Sequence, residues 1–235
     1  MRIEILYGEL ANLLGEHGSQ NLLLRTFGEE HVLMTPFPEK PAFPDGGIDL
    51  VYMGPMTERS QARVLEVWRG QRALFREAID RGTAFFFAGN ALDLTGRTIA
   101  YEEGETIEGL GLYPFDTFCR RYDRLNEVFR GEFQKMDITG FRSQFTTHKG
   151  DLRAFPFIRT AHGSGMIPGT PFEGIRDKLF FATNLLGPFL LLNPPFTKWL
   201  FAQIGFDGPL PFEDALMRSY QMRQKDFEES FPALT

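Results

Sequence analysis

Two short apolar runs, Asp49–Met53 (DLVYM) and Thr83–Phe87 (TAFFF), flank one long amphipathic stretch, Glu58–Arg81. Runs of this length without polar alternation are typical of strands covered on both faces. Between them Ala62, Leu65, Trp68, Phe75 and Ile79 recur at three- and four-residue steps, which predicts a single helix that Arg81-Gly82 ends. A strand–helix–strand unit of this kind calls for a parallel sheet with helices packed on it. Ligands in such sheets lie beyond the carboxyl ends of the strands. The residues after Met53 and after Phe87 are therefore the first place to look for chemistry.

The remaining elements fit this frame. Arg2–Tyr7 and His31–Thr35 predict strands around a helical Leu10–Arg25, and the proline-rich Pro36–Gly47 predicts a loop. Glu108–Tyr113, Thr139–Thr147 and Lys178–Thr183 read as further strands, and Pro194–Ile204 and Phe212–Phe231 as helices. With 235 residues, the chain is expected to form one domain over residues 1–204, with 205–235 as a helical extension packed on it.

Charge and composition exclude several roles. A net charge of −6 argues against nucleic acid as the main partner, because phosphate binding needs a basic face. The longest apolar runs, such as Leu185–Leu192, are too short to span a bilayer. The first residues lead straight into a strand, so no signal peptide is expected. The single cysteine, Cys119, rules out an internal disulfide framework, and the expected compartment is cytoplasmic. His17, His31, His148 and His162 show no metal-ligand spacing, so neither a metal nor a cofactor is expected.

Several segments carry a family resemblance. Thr83–Phe87 turns at once into Ala88-Gly89-Asn90, a nucleophile-elbow context. Leu6–Gly18 (LYGELANLLGEHG), Asp49–Gln61 (DLVYMGPMTERSQ), Glu108–Leu112, Thr139–Phe141, Glu173-Gly174 and Thr183–Pro194 (TNLLGPFLLLNP) supply further blocks in order. Together they resemble the class I glutamine amidotransferases, in particular the cobyric acid synthase branch and the amidotransferase subunit of lipid II isoglutaminyl synthase. The resemblance implies a flavodoxin-like three-layer α/β sandwich. It also implies glutamine hydrolysis by a cysteine–histidine pair, with ammonia passing to a ligase partner.

The reacting positions depart from that pattern. The family's nucleophile falls on Ala88, or on Gly89 if the gap is placed one residue later, and Leu186 stands where the family has histidine. Gly54-Pro55 replaces consecutive glycines in the oxyanion turn, and proline has no N–H to donate. After Thr139–Phe141 come Arg142, Ser143 and Gln144, where the family tends to have an acid, asparagine and histidine.

The reading is a catalytically inactive relative that binds or scaffolds an ATP-dependent, Mur-ligase-like amide ligase in a peptidoglycan-type setting. Gly54, Asn90, Arg124 and Arg142 are the candidate ligand-binding residues, with a small anionic or amino-acid ligand in the inherited pocket. Two alternatives stay open. One is changed chemistry in the same pocket, with Asp93 added to the polar candidates. The other is a glutaminase using Cys119, whose thiol would be activated by Arg120 and Arg121.

Overall fold

A computed structural model describes residues 1–102, 104–120 and 122–231. The first half runs β1 (Ile3–Leu6), α1 (His17–Phe27), β2 (Val32–Thr35), β3 (Leu50–Met53), α2 (Glu58–Val67), α3 (Arg72–Arg81) and β4 (Ala84–Ala88). The second half runs β5 (Thr98–Tyr101), β6 (Thr106–Glu108), β7 (Phe115–Cys119), β8 (Leu125–Phe133), β9 (Met136–Gln144), β10 (Thr146–Gly150), β11 (Pro156–His162), β12 (Phe172–Asp177) and β13 (Phe180–Thr183), then α4 (Phe189–Leu192), α5 (Pro194–Gln203) and α6 (Glu213–Ser230).

Strand periodicity builds the layers. Successive side chains of a strand point to opposite faces, so Phe85 and Phe87 enter one core while Ala84, Phe86 and Ala88 enter the other. Val51 and Met53 join the first core, with Trp68, Phe75 and Ile79 from the α2–α3 layer. Leu50 and Tyr52 join the second, with Leu23 of α1, Phe189 of α4 and Phe196 of α5. Burying each phenylalanine is worth roughly 2 kcal/mol, so the TAFFF run welds three layers together. This is the expected flavodoxin-like sandwich. Its nine-stranded sheet has the order β2-β1-β3-β4-β13-β12-β11-β8-β9, parallel from β2 to β13 and antiparallel beyond. A second sheet, β10-β7-β5-β6, lies on the side of the first core, to which Ile99 and Phe115 contribute.

Some local expectations need correction. The helix expected over 58–81 is two helices, because the chain turns at Gly70 with φ +76° and buries Trp68 completely. Trp68 Nε1 donates to Tyr7 Oη at 3.0 Å, so its indole anchors the break. The first helix begins at His17, after a single 3-10 turn at Leu13–Gly15 that holds Leu14 at φ 56°. No α-helix follows the elbow; Gly89–Thr95 is 3-10, because Ala91, Leu92, Asp93, Leu94 and Thr95 are all buried and leave no solvent face. The strand expected at 108–113 is only Thr106–Glu108; Gly109 and Gly111 instead donate to the Arg97 and Gly96 carbonyls. Strands β5, β7, β8, β11 and β12 were not expected from the sequence, and the strand expected over 139–147 is divided between β9 and β10.

Within the 205–235 segment, α6 lies against the antiparallel edge. Tyr220 Oη donates to the Asp137 carbonyl at 2.9 Å, and the His162 ring lies 4.0 Å from that of Phe231. Residues 232–235 of that segment lie outside the described residues. Among the described residues no helix is long and apolar enough to cross a membrane.

Two buried glutamates organise the loops over the sheet. Glu4 accepts from Thr35 Oγ1 at 2.6 Å and from the Ala42 and Phe43 N–H groups, pinning the proline-rich loop. Glu16 accepts from Ser19 Oγ and Tyr52 Oη through Oε2, and from the Phe189 N–H at 2.8 Å through Oε1. Burial is the largest influence on Glu16 and raises its pKa; the hydrogen bonds oppose it without reversing it. A carboxyl raised in the folded state gives stability that is complete below its unfolded pKa and is lost as pH rises through the folded one. The stability advantage of the native chain over Glu16→Gln, which does not titrate, should therefore shrink as pH rises above the ordinary carboxylate range. Urea denaturation across that rise checks the slope; a flat difference contradicts the raised pKa.

Candidate functional site

Three loops meet beyond the carboxyl ends of β3, β4 and β13. The chain leaves β4 through Ala88, which is still extended and fully buried in the core, so the turn itself is made at Gly89 with φ +59°. Gly89 therefore occupies the apex of the elbow. A Cβ placed on Gly89 would stand 2.7 Å from Pro55 Cβ and 2.8 Å from Leu186 Cδ2. The space a side chain would need is filled by the residues at two other departing positions. Leu186 is fixed there by a backbone bridge to β9, with its N–H donating to the Phe141 carbonyl at 2.9 Å. Gly54 is required for a different reason: a Cβ there would run into the Ala11 carbonyl oxygen.

The candidate polar residues are placed differently from one another. The Asn90 side chain clamps the neighbouring loop, accepting from the Met56 N–H at 2.9 Å and donating to the Met56 carbonyl at 2.7 Å. Arg142 is only 3% exposed. Its Nη1 lies 3.1 Å from Glu127 and 3.7 Å from Glu173, and also donates to the Ser164 carbonyl at 3.0 Å. Glu173 is fully buried and accepts from Thr183 Oγ1 and from Asn184 through Oε1. Arg142 thus closes an internal charge network and also donates through Nε to Gln144 Oε1 at 3.3 Å. Arg124 stays outside it; its guanidinium lies over the Phe145 ring at 4.7 Å and is exposed.

Gly89, Asn90 and Arg124 line one cavity of about 260 Å³, with Pro55, Leu186 and Thr146 among its other walls. Leu13 and Leu14 stand at the same cavity, 38% and 44% exposed. Gly54 and Arg142 do not line it.

One buried pair had no sequence signal. His148 Nε2 lies 2.6 Å from Asp93 Oδ1, with both side chains fully buried. Gln61 Nε2 reaches Asp93 Oδ2 at 3.4 Å and the Asn90 carbonyl at 2.8 Å. The two residues are 55 positions apart, so no spacing rule could join them. His148 Nδ1 has no hydrogen-bond partner, so it is not bonded to the Cys119 thiol. Cys119 itself is 3% exposed on β7, beside a separate cavity of about 470 Å³ lined by Glu58, Tyr101 and Ile107. Arg121, expected to activate that thiol, lies outside the described residues. Among the described residues no group of three or more metal-ligating side chains comes together.

The fold has known counterparts. A crystal structure of a glutamine amidotransferase is similar to this chain with a TM-score of 0.56 at 13% identity, covering 88% of this chain and all of that one. A structure of PurLQS from Thermotoga maritima is similar with a TM-score of 0.53 at 10% identity, covering 95% of this chain and 98% of that one. No protein-family model and no curated protein matches the chain. At these identities the likeness concerns the fold: this is a glutamine amidotransferase-type α/β sandwich.

Placing a thiol at the apex should be costly. Gly89→Cys meets both a positive φ and two occupied neighbours, and should lose about 1–3 kcal/mol of stability. Thermal or urea denaturation of the variant checks this. In a Leu186→Ala background, which is itself destabilised, the additional cost of Gly89→Cys should be smaller than in the native chain, because the space beside the apex is open.

Proposed function

We propose that this chain is a glutamine amidotransferase-type protein that does not hydrolyse glutamine and serves as a binding or scaffolding subunit of an ATP-dependent amide ligase. The carrying observation is Gly89 at the elbow apex, where Pro55 and Leu186 occupy the place a side chain would take. Glutamine hydrolysis by the family's route needs a nucleophile at that corner, a base beside it and open space for a tetrahedral intermediate. Neither Ala88 nor Gly89 offers a nucleophile, Leu186 offers no base, and Pro55 offers no N–H. Loss of either nucleophile or base from a unit that acts together removes most of its rate.

The polar groups also speak against new acid–base chemistry at this corner. Asn90, Asp93 and Arg142 are each committed to partners inside the protein. Cys119 faces a different cavity from Gly89.

The ligase partner rests on the sequence resemblance to the cobyric acid synthase branch, and within it to the lipid II isoglutaminyl synthase subunit. Its warrant is analogy of fold and motif order. The same analogy proposes a peptidoglycan-type pathway and the cytoplasm. In this reading residues 205–235 extend the 1–204 domain, and the pocket is kept for binding.

Two measurements test the proposal. Ammonia release from glutamine by the purified chain should stay at the buffer rate, and Cys119→Ser should change nothing. Affinity purification from native extract should recover an ATP-dependent ligase. Thiol-dependent ammonia release would overturn the first half, and a clean monomer in native extract would overturn the second.

A further inference from the structure

The second sheet turns one face to the core and the other to solvent. Along β5, β7 and β10 the pleat sends Ile99, Phe115, Thr117, Cys119, Thr146 and His148 inward, where all are buried. The outward side chains fall into two rows that cross all four strands in the order β10-β7-β5-β6. Lys149, Asp116, Thr98 and Glu108 form one row. Thr147, Phe118, Ala100 and Thr106 form the other. Phe118 is 41% exposed near the middle of the face, and Thr106, Glu108, Thr147 and Lys149 are exposed along its two edges.

A single exposed phenylalanine needs no explanation; the pattern around this one does. Asp116 is paired with Arg97, whereas Lys149 and Glu108, at the two ends of their row, have no ion-pair partner among the described residues. Their charges are opposite. Phe118 and Ala100, neighbours in the middle of the second row, are the largest and the smallest side chains on the face. A two-fold axis running along the strands between β7 and β5 reverses the order of each row. It brings Lys149 over Glu108 of the partner copy, and Phe118 over Ala100 of the partner copy, each twice. Asp116 then meets Thr98, and Thr147 meets Thr106, so no like charges face one another. An isologous contact needs a surface complementary to itself, and this face is so in both charge and size. Facing sheets stack about 10 Å apart with their strands within about 30° of each other, which keeps the rows aligned.

We propose that two copies of this chain associate through the outer face of the β10-β7-β5-β6 sheet, about a two-fold axis along β7 and β5. Phe118 packing on Ala100 of the partner copy removes apolar surface from water. The two Lys149–Glu108 pairs set the register and exclude other alignments. Four short strands offer less area than the roughly 800 Å² per partner of a standard interface, so the dimer is weak and forms and breaks with concentration. None of the eight outward residues lines the cavity at Gly89, so the inference does not depend on the function proposed above.

Sedimentation equilibrium of the full chain, from micromolar to submillimolar concentration, tests this, with circular dichroism to check that each variant is folded. The native chain should pass reversibly from monomer to dimer. Lys149→Glu and Glu108→Lys each set like charges against one another, and each should weaken the dimer about tenfold. Mixed together, the two single variants should form a heterodimer about as tight as the native dimer, because every reversed charge then meets its opposite. Both changes in one chain should recover self-association for the same reason. Phe118→Ala should also weaken the dimer about tenfold and leave its dependence on the charge pair in place. A chain that stays monomeric throughout, a dimer indifferent to both charge reversals, or reversals that mixing does not rescue would each overturn the proposal. A variant that merely loses its fold cannot imitate the rescue, since only a complementary partner restores binding.

Discussion

The loops over the sheet depend on the buried carboxylate of Glu16. It lies where the loop after β1, the strand β3 and the segment entering α4 converge, and it ties them through Ser19, Tyr52 and the Phe189 N–H. A carboxyl group removed from water is costly unless hydrogen-bond partners surround it. Here the partners come from three separate stretches of chain, so satisfying the group draws the stretches together. The close approach is visible at Gly54, where no side chain fits against the Ala11 carbonyl. Burial and the neighbouring Glu16 carboxylate keep the Tyr52 hydroxyl protonated and donating.

This framework holds the elbow's backbone in place without help from a side chain at its apex. Gly89, Pro55 and Leu186 belong to three different loops, yet the space beside one is occupied by the other two. Interiors are close-packed, so an absent side chain at the apex leaves room that neighbours can fill. Their apolar contact makes the departures interdependent: a thiol at the apex would need Pro55 and Leu186 to yield. The backbone path of the elbow, with its left-handed apex, persists although no side chain is presented from it.

Charges near this corner are turned inward in a similar way. Arg142 lies between Glu127 and Glu173, and His148 is joined to Asp93 within the core. Both arrangements hold β9 and β10 against the rest of the molecule. Arg124, one strand away, is braced on an aromatic ring and faces the cavity. Two arginines that look equivalent in the sequence are thus separated by burial: Arg142 is enclosed among internal partners, and Arg124 is exposed at the cavity.

Much of the fold was legible in the sequence. DLVYM and TAFFF announce buried parallel strands, and the motif order announces the sandwich, because periodicity and local turn chemistry act over a few residues. The break at Gly70 was less legible, since the apolar spacing continues across it and only the burial of Trp68 shows where the helix must stop. Strands β8 and β11 were missed because exposed residues recur through them, and the register of β8, β11 and β12 comes from one another. For the site, the sequence determined which chemical groups are present: no cysteine at Ala88 or Gly89, no histidine at Leu186, no N–H on Pro55. Tertiary structure alone decided which of those positions touch, that Asn90 and Arg142 are committed internally while Arg124 faces the cavity, and that His148 meets Asp93. Residue type is fixed by covalent chemistry, whereas contact between residues far apart in the chain is fixed only when burial and hydrogen bonding close the loops between them.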